Sequence, residues 1–375
     1  MDEWIAAEAA GIAARFERDL AALVAVSSPS GDASGFEECA AVAVALAPEE
    51  ATVERPACSS PDHAPDLLLR LRGTGRARLL LLGHLDTVHA HPSHRPLERL
   101  GNRLVGAGAV DMKGGVVLAV AVLRALVRRR ADFADVALLL VGDEEWRTAA
   151  FVHVERFAGW DGCLCFEAGQ LAGDDEAVVV KRKGAGTIRV TANGRAAHSG
   201  SAPDQGANAL LALTAGATAV AARHDPAGPD RLSAVPTVIR SGDAFNVVPA
   251  SGELLCDVRA DSMEAIEAAA DAVPGEVGGA QLQTDLLRRW PPMDSREASS
   301  GLLLRASDAA GRAIVAAGRG GASDASHFAA AIARTVDGLG PRGGGAHSPD
   351  EHVSVESVEP RAEVALALAL AALDG

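Results

Sequence analysis

The sequence predicts an α/β protein: a main domain with a central mixed sheet between helices, and an inserted α+β domain of ferredoxin-like pattern. Three observations support this prediction. The chain has 375 residues, which is more than one hydrophobic core usually organises, and 48% of the residues are hydrophobic. Almost wholly apolar strands alternate with helical patterns, as expected for a sheet covered on both faces. A strand-helix-strand-strand-helix-strand order then follows, and it indicates the second domain.

The main domain is assigned to residues 1–182 and 290–375. Apolar positions at helical or strand spacing set its elements. Helices are predicted over 3–25, 35–46, 116–128, 300–317 and from 355 onward, and strands over 67–71, 77–82, 136–141, 163–167 and 335–339.

The inserted domain is assigned to residues 183–289, and Trp290-Pro291-Pro292 marks the return to the main domain. Its predicted strands cover 186–192, 234–240, 252–259 and 281–287, and its helices cover 204–222 and 263–272.

Charge and composition exclude several classes of protein. Lys and Arg total 35 against 50 for Asp and Glu, and the formal charge of -15 would repel nucleic acid and anionic lipid. The acidic N-terminus does not resemble an export signal, and the apolar runs are too short to span a bilayer. We therefore expect a cytoplasmic protein without membrane or nucleic-acid partners. The five cysteines lack framework spacing, and Cys163 and Cys165 are expected as small buried side chains in a strand.

His84 and Asp86 follow an apolar strand and stand two residues apart, so their side chains can lean to the same side. This arrangement suits a metal ligand with a carboxylate that orients it. It suits equally well a hydrogen-bonded pair at the end of a core strand. These residues alone leave both interpretations open.

Two further apolar strands end in acidic residues. Asp143, Glu144 and Glu145 follow one strand, and Glu167 ends the next. Crowded carboxylates repel one another unless water or a cation neutralises them, so a charged surface loop is the alternative to a metal site. Because ligands bind at the carboxyl ends of strands in open α/β sheets, these groups are predicted to share one site.

Asp111 lies among glycines in Gly106-Ala-Gly-Ala-Val-Asp111-Met-Lys-Gly-Gly115. Such a segment indicates an unusual backbone that holds the carboxylate, and the alternative is a turn with Asp111 at a helix start. The histidines of the preceding loop, His89, His91 and His94, are expected in solvent. A late candidate ligand is His347, in Gly343-Gly-Gly-Ala-His347-Ser-Pro.

Taken in order, these motifs resemble the co-catalytic zinc peptidase family of glutamate carboxypeptidases, aminoacylases, acetylornithine deacetylase and succinyl-diaminopimelate desuccinylase. The resemblance covers nearly the whole chain. It implies that Asp111 bridges two divalent metal ions, Zn²⁺ in preference to Co²⁺ or Mn²⁺. It also implies that the peptide bond after Asp111 is cis. It implies that His84 and Glu167 complete one metal site, and Glu145 and His347 the other. Glu144 would be the general base towards a water that bridges the metals, and Asp86 would orient His84.

The inserted domain carries further matches to that family. Gly194-Arg-Ala-Ala-His198-Ser-Gly200 resembles the motif whose histidine reaches the active site of a partner subunit and stabilises an oxyanion. The resemblance implies that Asn246 and Arg259 bind the substrate carboxylate, and that the inserted domain acts as a lid and as the contact surface of a homodimer. A polar turn histidine and a solvated strand arginine are the alternatives.

The expected activity is metal-dependent hydrolysis of a peptide or N-acyl bond next to a free carboxylate. Ser323-Asp324 and Gly338-Leu-Gly-Pro341 resemble the glutamate carboxypeptidase branch more than the biosynthetic deacylases. An N-acyl-amino-acid deacylase stays the alternative, and a non-catalytic binding relative is less favoured because no candidate ligand or base is missing. The chain departs from the family in two places. Trp146-Arg147-Thr-Ala149 replaces a small Gly/Ser-rich turn after Glu145, and His352 stands where relatives often have an aromatic residue after the Glu of the last motif.

Overall fold

Strands and helices alternate along residues 2–374, the part of the chain that this computed structural model describes. The mixed α/β fold predicted from the sequence is confirmed. The chain divides into two units, the first made of Met1–Lys181, Asp294–Gly318 and Ser323–Gly375, and the second of Arg182–Met293 and Arg319–Ala322.

The first stretch of unit one contributes three helices and nine strands. Its elements, in chain order, are α1 Glu3–Val24, α2 Ala33–Leu46, β1 Thr52–Glu54, β2 Leu67–Arg72, β3 Ala77–His84, β4 Glu98–Leu100, β5 Arg103–Val105, α3 Gly114–Leu126, β6 Phe133–Val141, β7 Gly162–Cys165, β8 Gln170–Ala172 and β9 Asp175–Arg182.

Unit two has the predicted strand-helix-strand-strand-helix-strand order, with one additional two-residue strand before the last. Its five-stranded sheet has the order β11-β12-β10-β14-β13, and the neighbouring strands are antiparallel. Ile188, Leu254 and Ile266 belong to its own buried core. Its elements are β10 Gly184–Asn193, α4 Ala209–Ala221, β11 Ser233–Ser241, β12 Ser251–Ala260, α5 Met263–Asp271, β13 Glu276–Val277 and β14 Ala280–Trp290.

The chain then returns to unit one, where the last helix is buried over almost its whole length and packs against α1. The returning elements are β15 Met293–Asp294, α6 Arg296–Ala310, β16 Ile314–Arg319, α7 Ala325–Phe328, β17 Thr335–Val336, β18 Gly343–Gly344, β19 His352–Ser354 and α8 Val358–Leu373.

The central sheet of unit one has the order β1-β2-β6-β3-β7-β17. Strands β6, β3, β7 and β17 run parallel, and β2 is antiparallel to β6. In this register His84 is opposite Val141, and Leu82 is opposite Cys165. The carboxyl ends of β3, β6 and β7 therefore lie side by side, and the segments that leave them start at one edge of the sheet.

Three element predictions are wrong in extent. The helix predicted over 300–317 ends at Ala310, because Gly311 takes a left-handed conformation (φ 62°), and β16 follows. The helix predicted from residue 204 begins at Ala209, where the Asn208 side chain caps it by accepting from the Leu211 N–H. The strand predicted over 335–339 is reduced to β17.

Two observations concern compartment and redox chemistry. Within residues 2–374 no helix combines the length and the apolar character needed to cross a membrane. All five cysteines are free thiols, and Cys163 and Cys165 are buried in β7 as predicted.

Gly115 lets α3 approach the end of β7 closely. A Cβ atom at this position would lie 1.8 Å from the Phe166 carbonyl oxygen, which is backbone and cannot rotate away. We predict that Gly115→Ala lowers the free energy of unfolding by about 3 kcal/mol, because the helix must move to relieve the clash. Urea unfolding measures this change. Gly11→Ala, in α1, is the control, since its Cβ would meet only the end of Arg15 at 3.5 Å, and it should raise stability by up to about 1 kcal/mol. Equal stability of the two variants would contradict the prediction.

Candidate metal centre

Five side chains meet at the carboxyl edge of the central sheet, and all five are the candidate ligands predicted from the sequence. Each is delivered by a different segment. They are His84 at the end of β3, Asp111 in an irregular turn before α3, Glu145 after β6, Glu167 after β7, and His347 between β18 and β19.

Asp111 lies between two groups of ligand atoms. Its Oδ1 is 3.3 Å from His84 Nε2, and its Oδ2 is 3.2 Å from His347 Nε2. His84 Nε2 is also 3.8 Å from Glu167 Oε1, and His347 Nε2 is 3.3 Å from Glu145 Oε2. Within each group the ligand atoms lie within 4.8 Å of one another. The two oxygens of one carboxylate therefore face two different groups.

The backbone around Asp111 is irregular, as the glycines predicted. The Asp111–Met112 peptide bond is cis, which confirms the expectation from the resemblance. Gly108 has φ 72° and opens the turn, and α3 starts only at Gly114. The alternative of Asp111 as a helix-start residue is therefore wrong.

Glu351 holds this turn in place, and the sequence analysis gave it no role. Its Oε1 accepts from the backbone N–H groups of Val110 (3.0 Å) and Asp111 (2.9 Å), and its Oε2 accepts from Gly108 N–H (3.0 Å). His89 Nε2 lies 2.8 Å from the same Oε2. The expectation of a solvated His89 is therefore wrong, since the ring is mostly buried against a carboxylate. The signal available in the sequence was an acidic residue four positions after a candidate ligand.

Asp86 connects His84 to the acidic loop, which we define as residues 142–153. His84 Nδ1 lies 3.0 Å from the Asp86 carbonyl oxygen and 3.3 Å from its Oδ1. The two carboxylate oxygens accept from the backbone N–H groups of Glu144 (3.2 Å) and Glu145 (3.1 Å). With Nδ1 directed at Asp86, the Nε2 atom of His84 faces the ligand group.

Glu144 is buried beside the ligands but belongs to neither group. Burial raises the pKa of its carboxyl group well above the usual range, the charge of His84 opposes this, and the Glu167 carboxylate adds to it. A carboxylate that holds a proton readily at this place has the property required of a general base.

The two candidate imidazoles respond to the acidic groups around them. Hydrogen bonds to Asp111 and Glu145 raise the pKa of His347 to about 10. Burial lowers the pKa of His84, but hydrogen bonds to Asp111 and Asp86 outweigh it and raise that pKa well above the usual range. Burial acts to raise the pKa of Asp111, and its hydrogen bonds to both imidazoles keep it well below the usual range. The protons on the two imidazoles thus offset negative charge of the carboxylates, as bound cations would do at the same places.

The residues fit divalent metal ions. Imidazole nitrogen and carboxylate oxygen are the donors that zinc and related ions take in proteins. Glu145 Oε1 is a buried atom that has no hydrogen-bond partner within residues 2–374. A bound cation would satisfy it, as buried carboxylate oxygens require.

The remaining predicted residues lie in unit two. His198 is exposed, and its Nδ1 accepts from the N–H groups of Gly200 and Ser201, each at 3.1 Å. Asn246 lies next to the His198 segment, because the Asn246 carbonyl oxygen accepts from Ser199 N–H at 3.1 Å. Arg259 lies on β12, where its Nε donates to Asp257 Oδ2 at 2.9 Å. His198 and Asn246 are thus brought together, and Arg259 is paired within its own strand.

Comparison with known proteins connects this geometry to a family. The profile of "Peptidase family M20/M25/M40" matches residues 80–371. The chain belongs to this family. Members of the M20/M25/M40 family are metal-dependent hydrolases that act as peptidases or deacylases, and this protein is accordingly an enzyme of that kind.

Three similar proteins illustrate the range of the M20/M25/M40 family. The chain is 26% identical to Carboxypeptidase G2 of Pseudomonas sp. (strain RS-16), over 94% of this chain and 88% of the relative. It is 33% identical to a succinyl-diaminopimelate desuccinylase of Methylorubrum extorquens, over 56% of this chain and 59% of the relative. The structure of the M20 family metallo-carboxypeptidase Sso-CP2 from Sulfolobus solfataricus matches it with a TM-score of 0.73 and 14% identity, covering 100% of both chains, and this shows the shared fold.

The hydrogen bonds of Glu351 yield a prediction. Glu351→Gln puts an NH₂ group where at least one oxygen now accepts, so a buried N–H in the Asp111 turn loses its partner. We predict a loss of about 2 kcal/mol in the free energy of unfolding and about tenfold weaker Zn²⁺ binding. Glu356→Gln, at an exposed carboxylate nearby in sequence, should change neither quantity appreciably. Denaturant unfolding and zinc titration measure both, and wild-type zinc affinity in Glu351→Gln would contradict the prediction.

Proposed function

We propose that this protein hydrolyses an amide bond next to a free carboxylate, as a carboxypeptidase does. The observation that carries the proposal is the position of Asp111, whose two oxygens each face a separate imidazole and carboxylate group. A carboxylate shared in this way, with a buried glutamate beside it, suits two metal ions and a base. We assign this chemistry to the domain of residues 1–182 and 290–375.

Two divalent ions would occupy the two groups, with Zn²⁺ preferred over Co²⁺ or Mn²⁺. His84, Asp111 and Glu167 would hold one ion, and Asp111, Glu145 and His347 the other. When bound, the ions polarise the scissile carbonyl and lower the pKa of water, so that it can react near neutral pH. Asp86 fixes the His84 ring, so that Nε2 keeps its lone pair for the ligand position.

Glu144 would move the proton. Its carboxylate accepts a proton from the attacking water while the new C–O bond forms, and it then gives that proton to the nitrogen as the C–N bond breaks. The high pKa that burial imposes makes the carboxylate basic enough to take the proton. The same proton serves both steps, so the enzyme returns to its starting state.

His198 would stabilise the oxyanion, in the active site of a partner subunit. Because its Nδ1 accepts two backbone N–H groups, the ring proton of the neutral imidazole sits on Nε2, which is then a donor. The domain of residues 183–289 would serve as lid and dimer surface. Exposed apolar side chains on α4 and β11 support this, and they are Leu210, Leu211, Val235 and Ile239.

The substrate would be a small peptide or an N-acyl amino acid. Asn246 and Arg259 would bind its carboxylate, and Arg259 would exchange Asp257 for the substrate. The similarity to Carboxypeptidase G2 along 94% of this chain favours a carboxypeptidase. The similarity to a desuccinylase supports the second candidate, an N-acyl-amino-acid deacylase. A non-catalytic relative is less well supported, because the five candidate ligands and Glu144 are all in place.

The central test is hydrolysis of a panel of dipeptides and N-acyl amino acids by the zinc-loaded protein. We expect release of a free amino acid, fastest from substrates with a free carboxylate next to the scissile bond. Amidation of that carboxylate should abolish turnover. A protein that binds two zinc ions and hydrolyses none of these substrates would contradict the proposed function.

The role of Glu144 is tested with a pair of variants. Glu144→Gln should keep both metal ions and lose about 10²- to 10⁴-fold in kcat, since it removes only proton transfer. Glu145→Gln should instead lose metal content, because it replaces a ligand. Elemental analysis and steady-state kinetics separate the two. Near-normal turnover by metal-loaded Glu144→Gln would remove the role given to it.

Mixing two inactive variants tests the role of His198 in a dimer. Glu144→Gln and His198→Ala, unfolded and refolded together in equal amounts, would form heterodimers in which one site has both residues. Random pairing should restore about a quarter of wild-type activity. An active monomer by light scattering, or mixed samples that stay inactive although heterodimers form, would exclude action across the dimer.

A further inference from the structure

Arg147 lies in the acidic loop two residues after Glu145, and its side chain is fully buried. Its guanidinium group bonds to Asp324 through both terminal nitrogens, with Nη1 3.4 Å from Oδ2. Nη1 is also 3.3 Å from Asp143 Oδ1. The group lies over the Phe151 ring, with Cζ 4.5 Å from the ring centre. One arginine thus joins two carboxylates and an aromatic ring inside the protein.

The acidic loop is fastened at several points by carboxylates that lie outside it. Asp66 holds both ends, since Oδ1 accepts from Gly142 N–H at 3.0 Å and Oδ2 lies 2.7 Å from His153 Nε2. Asp86 holds the backbone of Glu144 and Glu145, as described above. Asp324 holds the middle of the loop, and it does so through Arg147. Arg147 is thus the side chain that ties the part of the loop next to Glu145 to Asp324, whereas Ser59, Asp66, His327 and Phe328 hold its later part.

Both partners of this attachment are buried, so each depends on the other for compensation of its charge. Burial raises the pKa of Asp324 to about 7, and the Arg147 charge opposes that rise. Removing one partner of a buried ion pair leaves an uncompensated charge, which is costly. A planar guanidinium can contact two carboxylates at once, whereas a lysine ammonium cannot reproduce that fork. The contact therefore depends on the shape of the arginine side chain as well as on its charge.

We propose that Arg147 is a positioning residue, which fixes the acidic loop so that Glu145 can bind the metal ion that it would share with Asp111 and His347. The inference rests on the proposed metal sites. The other ion would be held by His84, Asp111 and Glu167, and of these only Asp111 is shared with the first group. Loss of Arg147 should accordingly weaken the binding of the ion at Glu145 and His347 far more than the binding of the other ion.

Zinc binding to metal-free protein, followed by calorimetry, tests this inference without measuring turnover. Each site is isolated first. His84→Ala leaves the site of Glu145 and His347, and His347→Ala leaves the site of His84 and Glu167. Adding Arg147→Met should weaken zinc binding about tenfold or more in the first background and less than about threefold in the second. Arg147→Lys should weaken zinc binding in the same pattern as Arg147→Met. Arg128→Met, at an arginine that is 82% exposed, is the control and should leave both affinities unchanged.

The proposal would be overturned if zinc binding at the two sites were weakened equally or were not weakened at all. Should Arg147→Met unfold, the double variant Arg147→Met/Asp324→Asn removes the charge of the carboxylate that Arg147 contacts through both terminal nitrogens, which leaves only Asp143 without its arginine, and it allows the same measurement. We expect it to recover thermal stability but not zinc affinity at the Glu145 site, and recovered affinity would also overturn the proposal. If wild type binds two ions but hydrolyses no substrate, the proposed function fails while this inference stands.

Discussion

Mutual repulsion among carboxylates at the end of a parallel sheet is the constraint on which the rest of this structure depends. The parallel register of β3, β6 and β7 directs Asp86, Glu144, Glu145 and Glu167 to one edge, and Asp111 joins them from the turn before α3. Such a cluster is stable only when hydrogen-bond donors or cations offset its charge. Two imidazoles do this in part, and the positions of their Nε2 atoms around Asp111 define where metal ions would complete it.

Hydrogen-bond donors divide the remaining acidic groups by role. Glu351 and Asp86 accept hydrogen bonds from backbone N–H groups and so fix the backbone conformation. Glu351 does this at the Asp111 turn, and Asp86 does it at the acidic loop. Asp324 and Asp143 are matched by Arg147. The charges of His84 and Arg147 act on Glu144 as well, but burial outweighs them and raises its pKa well above the usual range. Acidic residues thus support the backbone at Glu351 and Asp86, and the donors around the others decide which of them would serve as ligand or as base.

The sequence predicted the fold well, and the structure brings the five candidate ligands together, because apolar strands ending in His or acidic residues are a local pattern with a direct structural meaning. It failed where tertiary contacts decide. The end of α6 depends on the left-handed Gly311, and the short β17 depends on its single neighbour β7. Glu351, His89 and Arg147 were missed as supporting residues because each has a partner far away in the chain, which for Arg147 is Asp324. Glu351, for example, meets Asp111 across 240 positions, and no local spacing encodes that contact.

Anomalous diffraction from crystals of the zinc-loaded protein tests most directly whether two metal ions share Asp111. We predict two zinc peaks about 3.5 to 4 Å apart, with Oδ1 of Asp111 on the ion bound by His84 and Oδ2 on the ion bound by His347. A single zinc peak, or two peaks of which only one contacts Asp111, would contradict it.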